Sequence, residues 1–275
     1  MRVYVSADIE GVAGVVDASH QSPEGGTEYQ RARRLMTEEV NAAARAAFDA
    51  GASIVVVNDA HGPNTNLLVE VLDERVQLIS GRPKPLNMVQ GIDGGFDAAL
   101  FLGYHARPGT AEAVLEHAYL GSVVDTLTLN GSQQGEFVLN AMVAGACGVP
   151  VVMASGDDKL AAEVAEMLPA TEVAVVKWAV SRTAARTLTP GAARVAIASA
   201  VTRALRSLTA AGLLRPPEPP LTLDVRFVKT SQADLALLLP GSQRLDGRTV
   251  RYVSDDYLDV FKVCRALLLL GSTAA

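Results

Sequence analysis

Three of the four histidines fall where an apolar run gives out among small or polar residues. His61 closes Asn58-Asp59-Ala60-His61 after the run Ser53 to Val57. His105 follows Gly103-Tyr104 after the run Ala98 to Leu102. His117 stands in Leu115-Glu116-His117-Ala118, ahead of another glycine. The first apolar run, Arg2 to Ala7, leads directly into Asp8-Ile9-Glu10-Gly11, and Glu136 follows the glycine-punctuated stretch Asn130 to Gly135. Each of these has an ordinary explanation when taken alone. An isolated Asp-x-Glu is usually a capping or solvated pair, one histidine is usually structural, and a first-turn glutamate complements a helix dipole. Together they are a mixed nitrogen and oxygen donor set of the kind zinc accepts. Strand ends far apart in sequence lie side by side in an α/β sheet. Asp8, Glu10, His61, His105 and Glu136 exceed what one tetrahedral zinc needs, and a carboxylate can bridge, so two Zn2+ per chain are expected. Manganese or cobalt suits such a site as well.

The elements that must position these residues alternate through the first two thirds of the chain. Short apolar runs at Val3 to Ser6, Ile54 to Val57, Ala99 to Leu102, Val149 to Ala154 and Val173 to Val176 carry few polar residues. That pattern predicts strands of a mostly parallel sheet covered on both faces. A first helix is expected from a Thr27/Gln30 capping box, with Met36, Val40, Ala43 and Ala47 on one face and Gly51 at its end. A second starts near Asp158, capped by Asp157 and Asp158. A third has Thr189 as its cap and Pro190 in its first turn. After the stiff Pro216 to Pro220 connector, the alternation of Leu221, Leu223, Val225 and Phe227 predicts a half-exposed strand. A short helix, a strand near Thr249 to Val253 and a helix capped by Ser254 follow. The expectation is an α/β fold, with a metal-binding catalytic domain at 1–188 and a smaller α+β C-terminal domain at 189–275.

Bulk properties narrow the class. A length of 275 residues with 49% hydrophobic and 20% charged content excludes a disordered or fibrous chain. The net charge of −6, without a basic block, argues against nucleic acid as a partner. Cys147 and Cys264 are the only cysteines, too few for a cysteine-type zinc site, and they suit reduced core thiols. No apolar run is long enough to span a membrane and no leader pattern is seen, so a soluble cytoplasmic protein is expected. His20, in a polar loop, is expected at the surface.

The sequence resembles the zinc-dependent D-aminopeptidases of bacterial dipeptide-transport operons. Ser6-Ala-Asp-Ile-Glu-Gly11, Val57-Asn-Asp-Ala-His-Gly62, Gly103-Tyr-His-Ala-Arg107, Glu116-His117 and Gly135-Glu136 carry the resemblance. Met36-Thr-Glu-Glu39, Leu78-Ile-Ser-Gly-Arg82, Gly156-Asp-Asp158 and Ser181-Arg182 extend it over nearly the whole chain. The resemblance implies that Asp8 bridges two zinc ions held also by Glu10, His61, His105 and Glu136, and that His117 is catalytic. It implies a homodecamer of two stacked pentameric rings, acting on short peptides that begin with D-alanine or another small residue. L-selectivity on the same site is the nearest alternative. A competing reading takes Asp8-Ile-Glu10-Gly11 as the nucleophile motif of a haloacid-dehalogenase-type phosphohydrolase, with Lys177 and Asp157-Asp158 as its later lysine and acids. It leaves the histidines and Glu136 without tasks.

Overall fold

The computed structural model describes residues 1–208 and 213–274. Strands β1 (Arg2–Ala7), β2 (Ile54–Asp59), β3 (Gln77–Ile79), β4 (Ala98–Tyr104), β7 (Val151–Asp157), β8 (Glu172–Ser181) and β9 (Ala184–Thr187) form one sheet, in the order β3-β2-β1-β4-β7-β8-β9. All neighbours in it are parallel except the β8–β9 hairpin. Helices α1 (Thr27–Asp49), α2 (Glu136–Ala146), α3 (Asp158–Met167) and α4 (Pro190–Arg206) accompany it. The apolar runs read in the sequence are its buried strands, because a parallel sheet with helices on both faces has no wet side.

A second sheet is antiparallel. It joins β5 (Val124–Leu129) and β6 (Ser132–Gln133) to β10 (Leu221–Phe227), β11 (Gln243–Arg244) and β12 (Thr249–Ser254), in the order β11-β12-β10-β5-β6. Along β10 the residues alternate buried and half-buried, with Leu221, Leu223, Val225 and Phe227 facing inward. Helices α5 (Thr230–Ala236) and α6 (Tyr257–Ser272) pack against each other, and α6 also against β10, β12 and α2. Sheet membership crosses residue 188 in both directions. Residues 124–129 pair with β10, whereas α4 lies on α1 and β8 of the first sheet.

Two caps differ from expectation. Thr27 is the first residue of α1, and the cap is Gly26 at φ 57° with no side-chain bond to the helix. Gln30 accepts from Arg33 Nη1 instead. At α6 the cap is Asp256, which accepts from the Leu258 amide at 2.7 Å, while Ser254 Oγ accepts from the Asp256 amide. In both places the sequence offers several polar residues within a turn, and the tertiary path of the incoming chain selects among them. Asp157 caps α3 as expected, accepting from Lys159 and Leu160.

Candidate metal centre

β1 is the strand at which the sheet changes direction: β2 and β3 lie to one side of it, β4 and β7 to the other. A crevice opens at such a switch point, outside the carboxyl ends of the strands. Asp8 and Glu10 leave the end of β1, His61 the end of β2 and His105 the end of β4. Glu136 enters from the first turn of α2, and His117 from the loop before β5. The structure brings all six together.

Backbone packing holds these ends in place. The Asp8 amide donates to Leu102 O at 2.8 Å and the Gly11 amide to Gly103 O at 2.7 Å. A Cβ at Gly11 would fall inside the Tyr104 carbonyl oxygen, and one at Gly103, which sits at φ +67°, would overlap Asp8 O. Only glycine lets the two turns approach this closely. Below them the buried Lys177 ammonium donates to the carbonyls of Glu10, Val12 and Val15, pinning the loop that follows Glu10. Burial pushes that lysine down to about 8. The loop of His61 is held by Asp59, whose carboxylate accepts from the Asn66 amide, the Leu67 amide and Asn66 Nδ2 at 2.6–2.7 Å.

The loop of His117 is strained. Glu112, Leu115 and Tyr119 all have positive φ, between 52° and 56°. Leu115 is kept there by its amide donating to Arg182 O at 2.9 Å, and the Arg182 guanidinium reaches back to Glu116 O. Strain of this kind persists where surrounding structure over-determines it, and it clusters at functional sites.

Every imidazole of the cluster is anchored to a backbone carbonyl through one nitrogen and turns the other towards the acids. His61 Nε2 meets Gln21 O at 2.7 Å, His105 Nδ1 meets Ala106 O at 3.0 Å, and His117 Nδ1 meets Leu115 O at 2.9 Å. A carbonyl can only accept, so each of those nitrogens carries a proton, and the other nitrogen is the one left for the acids or for a metal. Those second nitrogens face the acids. His61 Nδ1 is 3.1 Å from Asp8 Oδ1 and 3.0 Å from Glu10 Oε2. His105 Nε2 is 3.3 Å from Glu136 Oε1 and 3.7 Å from Asp8 Oδ2. His117 Nε2 is 3.6 Å from Glu136 Oε1 and 3.8 Å from Glu10 Oε1. The His105 and His117 rings stack, 4.3 Å between centroids and 8° between planes.

Three carboxylates buried in one place carry a large desolvation cost unless a cation balances them. Burial, with the Glu10 charge adding to it, pushes Asp8 up to about 8. Burial acts the same way on Glu10 and Glu136, but the surrounding imidazoles outweigh it and hold both carboxyls low. On His105 burial opposes protonation, yet the Glu136 carboxylate carries the ring up to about 10, and the acids likewise raise His61. His117 moves down, through burial and the neighbouring His105 ring. The pocket thus attracts positive charge to its centre.

These residues fit zinc. Asp8 Oδ2, Glu10 Oε2 and His105 Nε2 are buried atoms without a hydrogen-bond partner. Ligand atoms of Asp8, Glu10 and His105 lie within 4.8 Å of one another, as do those of His105, His117 and Glu136. Tetrahedral ligands at zinc-to-nitrogen or zinc-to-oxygen bond lengths stand about 3.3 Å apart, inside the 3.0–3.8 Å spread between the imidazole nitrogens and the carboxylate oxygens. His117 therefore has the anchoring and position of a ligand as well as those of a proton carrier.

Residues with other expected tasks lie elsewhere. His20 is half-buried rather than at the surface, its Nδ1 accepting from the Val16 amide, because the turn around it folds onto α1. The phosphohydrolase reading gave Lys177 and Asp157-Asp158 catalytic tasks. Lys177 is occupied by three carbonyls, Asp157 caps α3, and Asp158 accepts from the Ala179 amide. Sequence reasoning missed the holding roles of Lys177 and Asp59, whose partners are loop backbone. A lysine inside the apolar run Val173 to Trp178 was the available signal.

A cavity of about 910 Å³ opens onto the cluster, lined by Asp8, His61, His117 and Glu136 at the acids and by residues of the 82–88 loop and of α6 elsewhere. No helix among the described residues is long and apolar enough to cross a membrane.

Residues 1–266 match the M55 peptidase family, described as D-aminopeptidase. The chain is 39% identical over 275 residues to a D-aminopeptidase of Bacillus subtilis, covering all of this chain and 98% of that one. It is similar to the solved structure of the Zn-dependent D-aminopeptidase DppA from Bacillus subtilis, described as a self-compartmentalizing protease. The TM-score is 0.95 at 36% identity, over 100% of this chain and 99% of the other.

Proposed function

The chain belongs to the M55 D-aminopeptidase family, and from that premise we propose that it is a zinc-dependent aminopeptidase with a dinuclear centre. It would release the N-terminal residue, D-alanine or another small one, from short peptides. The observation that carries the reading is the set of three imidazoles, each tied by one nitrogen to a backbone carbonyl and presenting the other to three buried carboxylates. Metal-binding histidines are oriented in this way.

In this reading Asp8 would be shared by the two ions, Glu10 and His61 would hold one, and His105 and Glu136 would hold the other. Zinc supplies a Lewis acid that polarises a peptide carbonyl and brings the pKa of water towards neutrality. The protein's own part begins with orientation. The carbonyls of Gln21 and Ala106 fix the rings of His61 and His105, and the Tyr119 amide, donating to Glu136 Oε1 at 2.6 Å, fixes that carboxylate. His117 borders the cavity, and its Nε2, the nitrogen not turned to Leu115 O, faces Glu136 and Glu10 and is the one available to accept a proton. Its lowered pKa keeps the ring neutral at physiological pH, so Nε2 takes a proton as water adds to the carbonyl and delivers it to the leaving amine as the C–N bond breaks.

The test is metal analysis together with a substrate panel. Protein purified without chelator should hold close to two zinc ions per chain and release amino acid from D-aminoacyl peptides in a chelator-sensitive manner. Intact activity with metal near zero would overturn the proposal. Faster cleavage of the matched L-peptides would reassign the chirality. The self-compartmentalizing description of the DppA relative supports an enclosing oligomer here; the family resemblance implies a homodecamer of two five-membered rings, and light scattering measures the size directly.

A further inference from the structure

The cavity that opens onto the acids carries a second set of charges. Arg82 and Lys84 lie on one part of its wall, and Lys262 and Arg265 on α6. Positions 262, 265, 266 and 269 all line it, the i, i+3, i+4, i+7 pattern of one helix face. The opposite face of α6, through Phe261, Cys264, Leu267 and Leu268, is buried in the core. That packing fixes which way the two cations point. Arg265 is further held by its guanidinium lying 5.2 Å from the centre of the Tyr119 ring. Lys84 is held by Asn58 Oδ1 at 2.7 Å and Asp59 O at 2.6 Å, which leaves one of its three protons uncommitted.

Among the described residues none of these four cations makes an ion pair with a carboxylate, whereas Arg194, Arg203, Arg226 and Arg251 each do. In a chain of net charge −6, four cations without an ion-pair partner give the wall formed by the 82–88 loop and α6 a local positive field that draws anions, while the acids at the other part of the cavity attract cations. The cavity also contains the reacting groups, so the anion must belong to the molecule being cleaved. A short peptide with a free end has one fixed negative group, its terminal carboxylate. A residue of peptide spans at most about 3.6 Å, so that carboxylate stays within roughly 10 Å of the scissile bond when two or three residues follow it. That length suits a cavity of about 910 Å³.

We infer that Arg265 and Lys262, with Arg82 and Lys84 facing the same space, form a carboxylate-recognition site that selects short peptides with a free C-terminus over amidated or longer chains. This rests on the aminopeptidase reading above and adds to it the part of the substrate that is read. It makes the enzyme a scavenger of finished small peptides, one that discriminates by the end of the substrate not being cut.

The experiment compares a D-alanyl tripeptide bearing a free carboxyl terminus with the same tripeptide as its carboxamide, on zinc-loaded protein. In parallel, titration calorimetry measures both forms of a non-hydrolysable analogue whose scissile amide is reduced to a methylene-amine. Charge-assisted hydrogen bonds to carboxylate predict a free-acid preference of about tenfold or more, in kcat/KM and in Kd alike. In Arg265→Gln and Lys262→Gln that preference should fall towards one, through KM rather than kcat, and Arg265→Lys should restore part of it. Raising the salt concentration should erode the preference in the parent protein. Equal binding of acid and amide analogues by the parent, or a preference that survives both substitutions, overturns the inference. If neither tripeptide is cleaved, the aminopeptidase reading fails, and the calorimetric comparison still decides whether the cations read a carboxylate.

Discussion

At the scale of single residues, His117 separates two roles that its position alone permits. As the proton carrier, His117→Ala should lower kcat by about 10²–10⁴ while zinc content stays near two per chain. Loss of one zinc in the variant would place His117 among the ligands, and full kcat would remove it from the mechanism. A different residue governs stability. Glu39 is buried, accepts from the Ala13 amide at 3.0 Å, and is pushed up to about 7 by desolvation. Between about pH 4.5 and pH 7 the folded chain keeps a proton there that the unfolded chain has released. Stability therefore falls as pH rises through that window, and the loss is complete above it. Glu39→Gln keeps an acceptor for Ala13 and has no proton to lose. Relative to the parent it should gain about 3 kcal/mol from pH 4.5 to pH 7, read by urea unfolding at fixed zinc concentration. A gap between the two proteins that is the same at both pH values would refute the assignment.

At the scale of elements, the parallel strands were legible because a doubly covered strand must be apolar at every position, and Val55 to Val57 and Ala98 to Leu102 are. The donor set was legible for a related reason, since polar residues directly after such strands have few structural uses. Of the second sheet, β10 and β12 were read and β5 was not. Val124-Asp-Thr-Leu-Thr-Leu129 was given no element, and its partner β10 begins about ninety residues later. Pairing partners are nonlocal information that no window contains. Helix caps failed at Thr27 and Ser254 for the converse reason, because too many local candidates were present. The junction of β1 and β4 offers a direct test. Gly11→Ala sets a methyl group against the Tyr104 carbonyl, backbone against which nothing can rotate away. It should cost about 3 kcal/mol or more and reduce zinc content, seen as a lowered Tm and by metal analysis. An unchanged Tm would show that the two turns can separate.

At the scale of the whole molecule, the metal cluster belongs to the parallel sheet and much of the cavity wall to α6, which packs on the other sheet. Lys262 and Arg265 of the cavity wall thus come from the opposite end of the chain to Asp8 and Glu10, and a chain ending at residue 220 should keep the candidate zinc donors but lack β10 and α6. With Leu127 and Leu129 of β5 then uncovered, it is expected to bind a hydrophobic dye and aggregate; a soluble, dye-silent fragment would contradict this. The same arrangement sets a clock on biosynthesis. A ribosome adding about 5–20 residues per second needs roughly 5–20 s to travel from the end of β5 to the start of β10, and for that interval every nascent chain carries β5 with one edge open and Leu127 and Leu129 uncovered. The yield of folded protein is then expected to depend on what happens to that edge before residue 221 emerges.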